Sequence, residues 1–276
     1  MTFDIAQSLM FLPAHRLDRI DKAIGSRANG VILDLEDGVA PADKSAARAN
    51  VAAGIARLRA GNKLAIVRIN AGDAAVEDLN AIGAAAPDAV MVPKVELAEQ
   101  IAGLRSSLAW ASSTRAIALI ETPLGVIQAP QIAGLKDHLA AIAFGGEDYA
   151  AAMDVAPTAD SLGQAAGLVA LAARAYALPV FGVVGSIAEV RDEDAFSRSC
   201  RHAKTLGFTG ALTIHPTQSA LAELAFAPTE AEIQWARAIC DAAANTKEGA
   251  FLDHQGRMVD RPVLIRAQRL LARAKQ

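Results

Sequence analysis

The chain has 276 residues, 53% of them hydrophobic, enough to bury one large core, and α/β barrels of this length fold as single domains. A formal net charge of −3, with no dense Lys/Arg block among the few aromatics, gives a nucleic-acid role no support. No apolar run reaches membrane-span length, the N-terminus lacks a signal peptide's basic region, and Cys200 and Cys240 form no C-x-x-C, so a cytoplasmic protein is expected.

In chain order, eight nearly continuous apolar runs read as strands. The first four are SLMFLPA from Ser8, GVILDLED from Gly30, LAIVRIN from Leu64 and AVMVPKVE from Ala89. AIALIET from Ala116, LAAIAFGGED from Leu139, PVFGVVG from Pro179 and GALTIHP from Gly210 complete the set. Strands this apolar are expected in a parallel sheet covered on both faces. Between them lie helical patterns such as ADKSAARANVAAGIARLRA from Ala42 and DEDAFSRSCRHAKTLG from Asp192, with early acids and later bases. Eight strand–helix units predict a TIM (β/α)8 barrel over 1–225. A doubly wound sheet is the rival, but neither G-x-G-x-x-G after the first strand nor a Walker A loop is present. Residues 226–276 read as a C-terminal helical extension that ends in an amphipathic helix from about Arg261.

Polar groups sit where such a barrel does its chemistry, at the C-terminal strand ends. Arg16 follows the first strand, Asp34, Glu36 and Asp37 crowd the second, and Arg68 and Asn70 close the third. Lys94 and Glu96, Glu121 and Thr122, Glu147 and Asp148, and His215 mark later ends. Crowded acids at the mouth of an apolar strand are costly unless positive charge lies among them. Carboxylates without a His/Cys grouping suit a hard cation such as Mg²⁺. Glu121 and Asp148, on adjacent strands, fit that need, though spacing alone does not choose them over Glu147 or Glu36.

The motifs SLMFLPAHRLDRI, VILDLEDGV, VRIN, VPKVE, ALIETPLGV, FGGEDYAA and GFTGALTIHPTQ resemble, in order, those of the HpcH/HpaI aldolase and citrate lyase β-subunit superfamily. The resemblance is strongest to the CitE-like branch that includes malyl-CoA and citramalyl-CoA lyases, and runs from Ser8 to about Ala274. It implies a Mg²⁺-dependent carbon–carbon lyase, a homotrimer or hexamer, acting on an acyl-CoA and an oxo acid. By that resemblance Glu121 and Asp148 are the metal ligands, and Glu36 and Asp37 hold metal-bound waters. Arg68 contacts the substrate's carboxylate and reacting oxygen. GRMVD supplies Asp260 as the acid/base, on a segment that closes over a neighbouring subunit's site.

Two departures stand out. Pro13-Ala14-His15-Arg16 replaces a common Pro-Gly-x-Arg, which weakens the expected substrate contact at Arg16, and Ser186 replaces an Asp at the end of the seventh strand. The plainer readings are specific too. Asp34 reads equally as a buried partner of Arg68 or Lys94, Lys94 as a structural ion pair, and His215 as a loop-shaping residue. Asp260 reads equally as a helix cap. His15, His138, His202 and His254 lack metal-ligand spacing. Alternative activities are a citrate lyase β-subunit working on an acyl-carrier protein, a class II 4-hydroxy-2-oxo acid aldolase, and a malyl-CoA thioesterase.

Overall fold

The computed structural model describes residues 2–107, 114–246, 250–253 and 255–274; His254 lies outside them. The chain divides into two compact units, Met1–Phe226 and Ala227–Gln276.

In the first unit the chain order is β1 (Ser8–Pro13), α1 (Ile20–Ile24), β2 (Gly30–Asp34), α2 (Lys44–Ala60), β3 (Leu64–Arg68), α3 (Ala74–Ile82), β4 (Ala89–Val92) and α4 (Ala98–Ser107). It continues through β5 (Arg115–Ile120), α5 (Pro123–Ala133), β6 (Leu139–Phe144), α6 (Gly146–Ala152), α7 (Ala159–Ala175), β7 (Val180–Phe181), α8 (Glu193–Leu206), β8 (Ala211–Thr213) and α9 (Pro216–Phe226). The strands are all parallel, in the order β7-β6-β5-β4-β3-β2-β1-β8. A single parallel bridge from Phe181 to Gly210 brings the two ends together, with the Gly182 N–H donating to the Gly210 carbonyl at 3.0 Å. This is the predicted eight-stranded β/α barrel.

Alternation along the strands sorts the core into two layers. Leu9, Ile32, Ile66, Met91, Ile117 and Leu119 fill the barrel interior. Val31, Leu33, Val67, Val90 and Ala118 face outward and pack under Val51, Ile55 and Leu58 of α2 and Val169 of α7. The same period of two, carried one step further, turns Asp34, Arg68 and Glu121 into the mouth. All three are buried there.

Several strands stop short of the apolar runs, each for a local reason. β2 ends at Asp34, whose carboxylate accepts the N–H groups of Glu36 and Gly38, both at 2.9 Å, and folds the chain away from the ladder. β4 ends before Pro93, which has no N–H to offer a neighbouring strand. β6 ends at Phe144 because α6 begins two residues later. Glu147 and Asp148 therefore lie in a helical first turn rather than on the strand. At α8, Asp192 caps the helix through the Ala195 N–H, and Gly207 ends it at φ +105°.

In the second unit, α10 (Glu230–Ala244) and α11 (Arg261–Ala274) pack through Ala236, Ile239, Ala267 and Leu270. An antiparallel pair, β9 (Phe251–Leu252) and β10 (Met258–Val259), precedes α11. Thr229 and Glu232 form a capping box on α10. Among the described residues no helix is long and apolar enough to cross a membrane.

Candidate active site

The site starts from strand register. Asp34 of β2 and Arg68 of β3 are paired positions on adjacent strands, and both point inward. Arg68 donates Nε–H to Asp34 Oδ1 and an Nη2–H to Oδ2, both at 2.7 Å, and its Nη1 lies 2.8 Å from Glu36 Oε2. The guanidinium also lies 4.7 Å from the centroid of the Phe11 ring. Burial alone would weaken the charge of Arg68. The Asp34 hydrogen bonds, with help from Glu36 and Glu121, outweigh it and hold the guanidinium protonated.

Glu36 is shared between two cations. Its Oε1 accepts from Lys94 Nζ at 3.0 Å, while Oε2 meets Arg68 without hydrogen-bond geometry. Burial pushes the Glu36 carboxyl up, and Arg68 and Lys94 pull in the opposite direction. Burial pulls the Lys94 amine down, but Glu36, then Asp37 and Glu121, raise it above its ordinary value. Asp37, largely exposed, lies 3.7 Å from the same ammonium. Lys94 also carries φ +50°, a left-handed conformation rare for a residue with a side chain. Its N–H donates to Glu121 Oε1 at 2.8 Å.

Glu121 and Asp148 have no ion-pair partner among the described residues, because Arg68 and Lys94 are committed to the acids of the β2 loop. Both line one cavity of about 60 Å³ at the barrel mouth. Burial and then the nearby Asp148 charge push the Glu121 carboxyl up to about 8, against the lowering by the Lys94 N–H. A buried carboxylate facing a second acid and short of positive charge is a fit for a hard dication. Among the described residues no three His, Cys, Asp or Glu side chains converge into a ready-made cage. Mg²⁺ needs none, since it binds through one or two carboxylates and takes its remaining oxygens from water and substrate.

Arg16 and His215, both in the first unit, are not among the residues lining this cavity. Arg16 is turned to Asp18, with hydrogen bonds of 2.9 and 2.8 Å. Asp260, in the second unit, sits at the start of α11, where Oδ1 accepts the Val263 N–H at 3.4 Å. Glu147 lines the cavity and accepts from Ser186 Oγ at 2.5 Å and from the Ile187 N–H at 3.1 Å, tying the loop after β7 to α6. His215 Nδ1 accepts the Thr217 N–H at 3.2 Å.

Two supporting residues escape a reading of strand ends. Lys44 Nζ donates to the carbonyls of Leu35 and Glu36 and to Asn70 Oδ1, at 2.6 to 2.7 Å, and so holds the acidic loop. Asp78, fully buried, accepts from the Asn70 N–H and side-chain amide and from Arg48. Asp78 did leave a signal, a lone acid on the apolar side of α3 beside Ala75, Leu79 and Ile82.

The profile of the HpcH/HpaI aldolase/citrate lyase family matches residues 7–216, most of the chain and every strand of the barrel. The chain belongs to this family. Citrate lyase subunit beta of Leuconostoc mesenteroides subsp. cremoris is 32% identical over 281 residues, covering 97% of this chain and 92% of the relative. A (3S)-malyl-CoA thioesterase of Cereibacter sphaeroides is 31% identical, covering 98% and 94%. Among solved structures, the CitE protein of Mycobacterium tuberculosis in complex with magnesium, acetoacetate and coenzyme A superposes with a TM-score of 0.83 at 32% identity. That match covers 99% of this chain and 100% of the other. As a CitE-like member of the HpcH/HpaI family, the protein is a carbon–carbon lyase, and its solved relatives include magnesium complexes.

Proposed function

We propose that the protein is a cytoplasmic lyase that cleaves, or in reverse forms, a 3-hydroxyacyl-CoA carrying a carboxylate on its carbinol carbon. The products are a 2-oxo acid and an acyl-CoA, and citramalyl-CoA and malyl-CoA are the type substrates. The observation that carries this reading is the pairing of Glu121 and Asp148 on one cavity, short of positive charge, beside an Arg68 fixed by Asp34.

Glu121 and Asp148 are the residues assigned to hold Mg²⁺, with Glu36 and Asp37 orienting its waters. Bound there, Mg²⁺ would supply positive charge near the substrate's oxygens and ease release of the hydroxyl proton to water. Arg68 lines the cavity with its guanidinium already oriented, so its remaining N–H groups need no reorganisation to meet an oxyanion. Donors aimed in this way are worth ~3 kcal/mol each. As the carbon–carbon bond breaks, its electron pair passes into the thioester enolate. Asp260 is assigned as the donor of the proton that this carbon then takes, acting in a homotrimer or hexamer.

The test is incubation of the purified protein with Mg²⁺ and a panel of malyl-, citramalyl- and citryl-CoA, with oxo acid and free CoA scored separately. Oxo acid and acyl-CoA without free CoA support the lyase. Release of free CoA with no oxo acid transfers the assignment to a thioesterase, the activity named for the Cereibacter relative. Oxo acid from free hydroxy-oxo acids but from no CoA ester makes the protein an aldolase.

A further inference from the structure

We infer that the cavity at the barrel mouth seats a short alkyl substituent of the oxo acid and rejects a second carboxylate, so that citramalyl-type thioesters are preferred to citryl-type ones. This rests on the lyase reading above. The cavity, about 60 Å³, is lined by four charged side chains, Glu121, Asp148, Glu147 and Arg68. The rest of its side-chain lining is apolar: Phe11, Leu119, Phe144, Val183, Ile187 and Leu212.

Among the described lining residues Arg68 is the only cation. Nε and Nη2 are bonded to Asp34 and Nη1 faces Glu36, so of the five N–H groups few remain, enough for one carboxylate. That carboxylate is the one beside the reacting carbon. Lys94 is held by Glu36 and Asp37, Arg16 by Asp18, and neither lines the cavity. A second carboxylate, such as the one oxaloacetate carries, would find only aliphatic and aromatic side chains and the further lining acid Glu147. A desolvated anion without a partner is strongly disfavoured, whereas a methyl or ethyl group gains by burial there.

The lining is also held in place. Glu147 fixes Ser186 and Ile187, and Gln218 bridges the Ile187 carbonyl, at 2.8 Å, to the Ile214 N–H, at 2.9 Å. These bonds tie the loop after β7 to α6, to the β8 end and to α9. The loop is not free to swing a distant cation into the cavity.

The experiment is calorimetric titration of the Mg²⁺-loaded protein with pyruvate, 2-oxobutyrate, glyoxylate and oxaloacetate, followed by kcat/KM on citramalyl-, malyl- and citryl-CoA. Pyruvate is expected to bind at least about tenfold more tightly than glyoxylate, the usual worth of one buried methyl group. Oxaloacetate is expected to bind at least about tenfold more weakly than pyruvate, and citryl-CoA to follow the same order. In Ile187→Arg, which places a cation in the lining and keeps the backbone N–H that Glu147 accepts, oxaloacetate should gain on pyruvate by about tenfold or more. Oxaloacetate binding as tightly as pyruvate to the unaltered protein overturns the inference and leaves the lyase reading standing. If no oxo acid binds and no thioester is cleaved, the inference falls together with the reading it rests on.

Discussion

Gly145 faces Glu121 so closely that a β-carbon added to it would stand 2.5 Å from the carboxylate Oε2 and 2.7 Å from the Glu121 β-carbon. Its φ of −97° is open to any residue, so what requires glycine here is the carboxylate and not the backbone. Gly145→Ala is therefore expected to fold with a lowered melting temperature, since the Glu121 β-carbon must also give way, and to push the Glu121 carboxylate out of place. Mg²⁺ affinity should fall by about tenfold or more, as it does when groups that orient a metal ligand are lost. Calorimetric Mg²⁺ titration beside a thermal melt checks both halves, and unaltered metal binding refutes the placement of Glu121.

Glu121→Gln removes the charge and keeps an oxygen for the Lys94 N–H. The metal-free variant should melt no lower than the parent at neutral pH, because Gln is buried uncharged without the proton that Glu121 must take up on folding. Mg²⁺ should no longer raise the melting temperature, and turnover should drop by about 10² or more. A melting temperature that still climbs with Mg²⁺ takes this residue out of the site.

Metal binding should also depend on pH in a defined window. The Glu121 carboxyl, ordinarily near 4.5, is raised to about 8 by burial and then by Asp148. Between those values the folded metal-free protein holds a proton that the unfolded chain has released, so this group's contribution to stability falls as pH rises from about 4.5 to 8. Mg²⁺ must displace that proton. Its affinity is accordingly expected to climb by up to about tenfold per pH unit through the window and to level off above it. Calorimetry in buffers of different ionisation enthalpy reads the released proton directly, and a flat affinity from pH 6 to 8 contradicts the assignment.

Asp34→Asn breaks a buried two-point ion pair while keeping one acceptor. It should destabilise the fold by about 3 kcal/mol, since removing one partner strands the other charge. Denaturant unfolding measures the loss. Arg68 would also lose its orientation, so activity should fall at concentrations of denaturant where the variant is still folded.

Asp260→Asn tests the second unit. Asn caps a helix as well as Asp does, so the start of α11 should hold and the melting temperature should stay within about 2 °C. Thioester cleavage should slow by about 10² to 10⁴, the usual worth of a general acid. Full activity would leave Asp260 as a cap.

Residue order alone was enough for the barrel and for the ring of polar groups at its mouth. Eight nearly continuous apolar runs read as strands covered on both faces, and Asp34, Arg68 and Glu121 already stood at their C-terminal ends, where such a barrel does its chemistry. The acidic crowding after Leu33 likewise announced that positive charge had to lie nearby. Which charge answers which acid was left to register. Asp34 meets Arg68 because β2 and β3 pair at those positions, and Glu36 reaches Lys94 across 58 residues only because the sheet curls into a cylinder. Only the folded chain shows Lys44 bonded to the acidic loop, Gly145 against Glu121, and the apolar side chains that line the same cavity. Such contacts depend on distances between side chains far apart in the chain, and one-dimensional spacing carries no record of those.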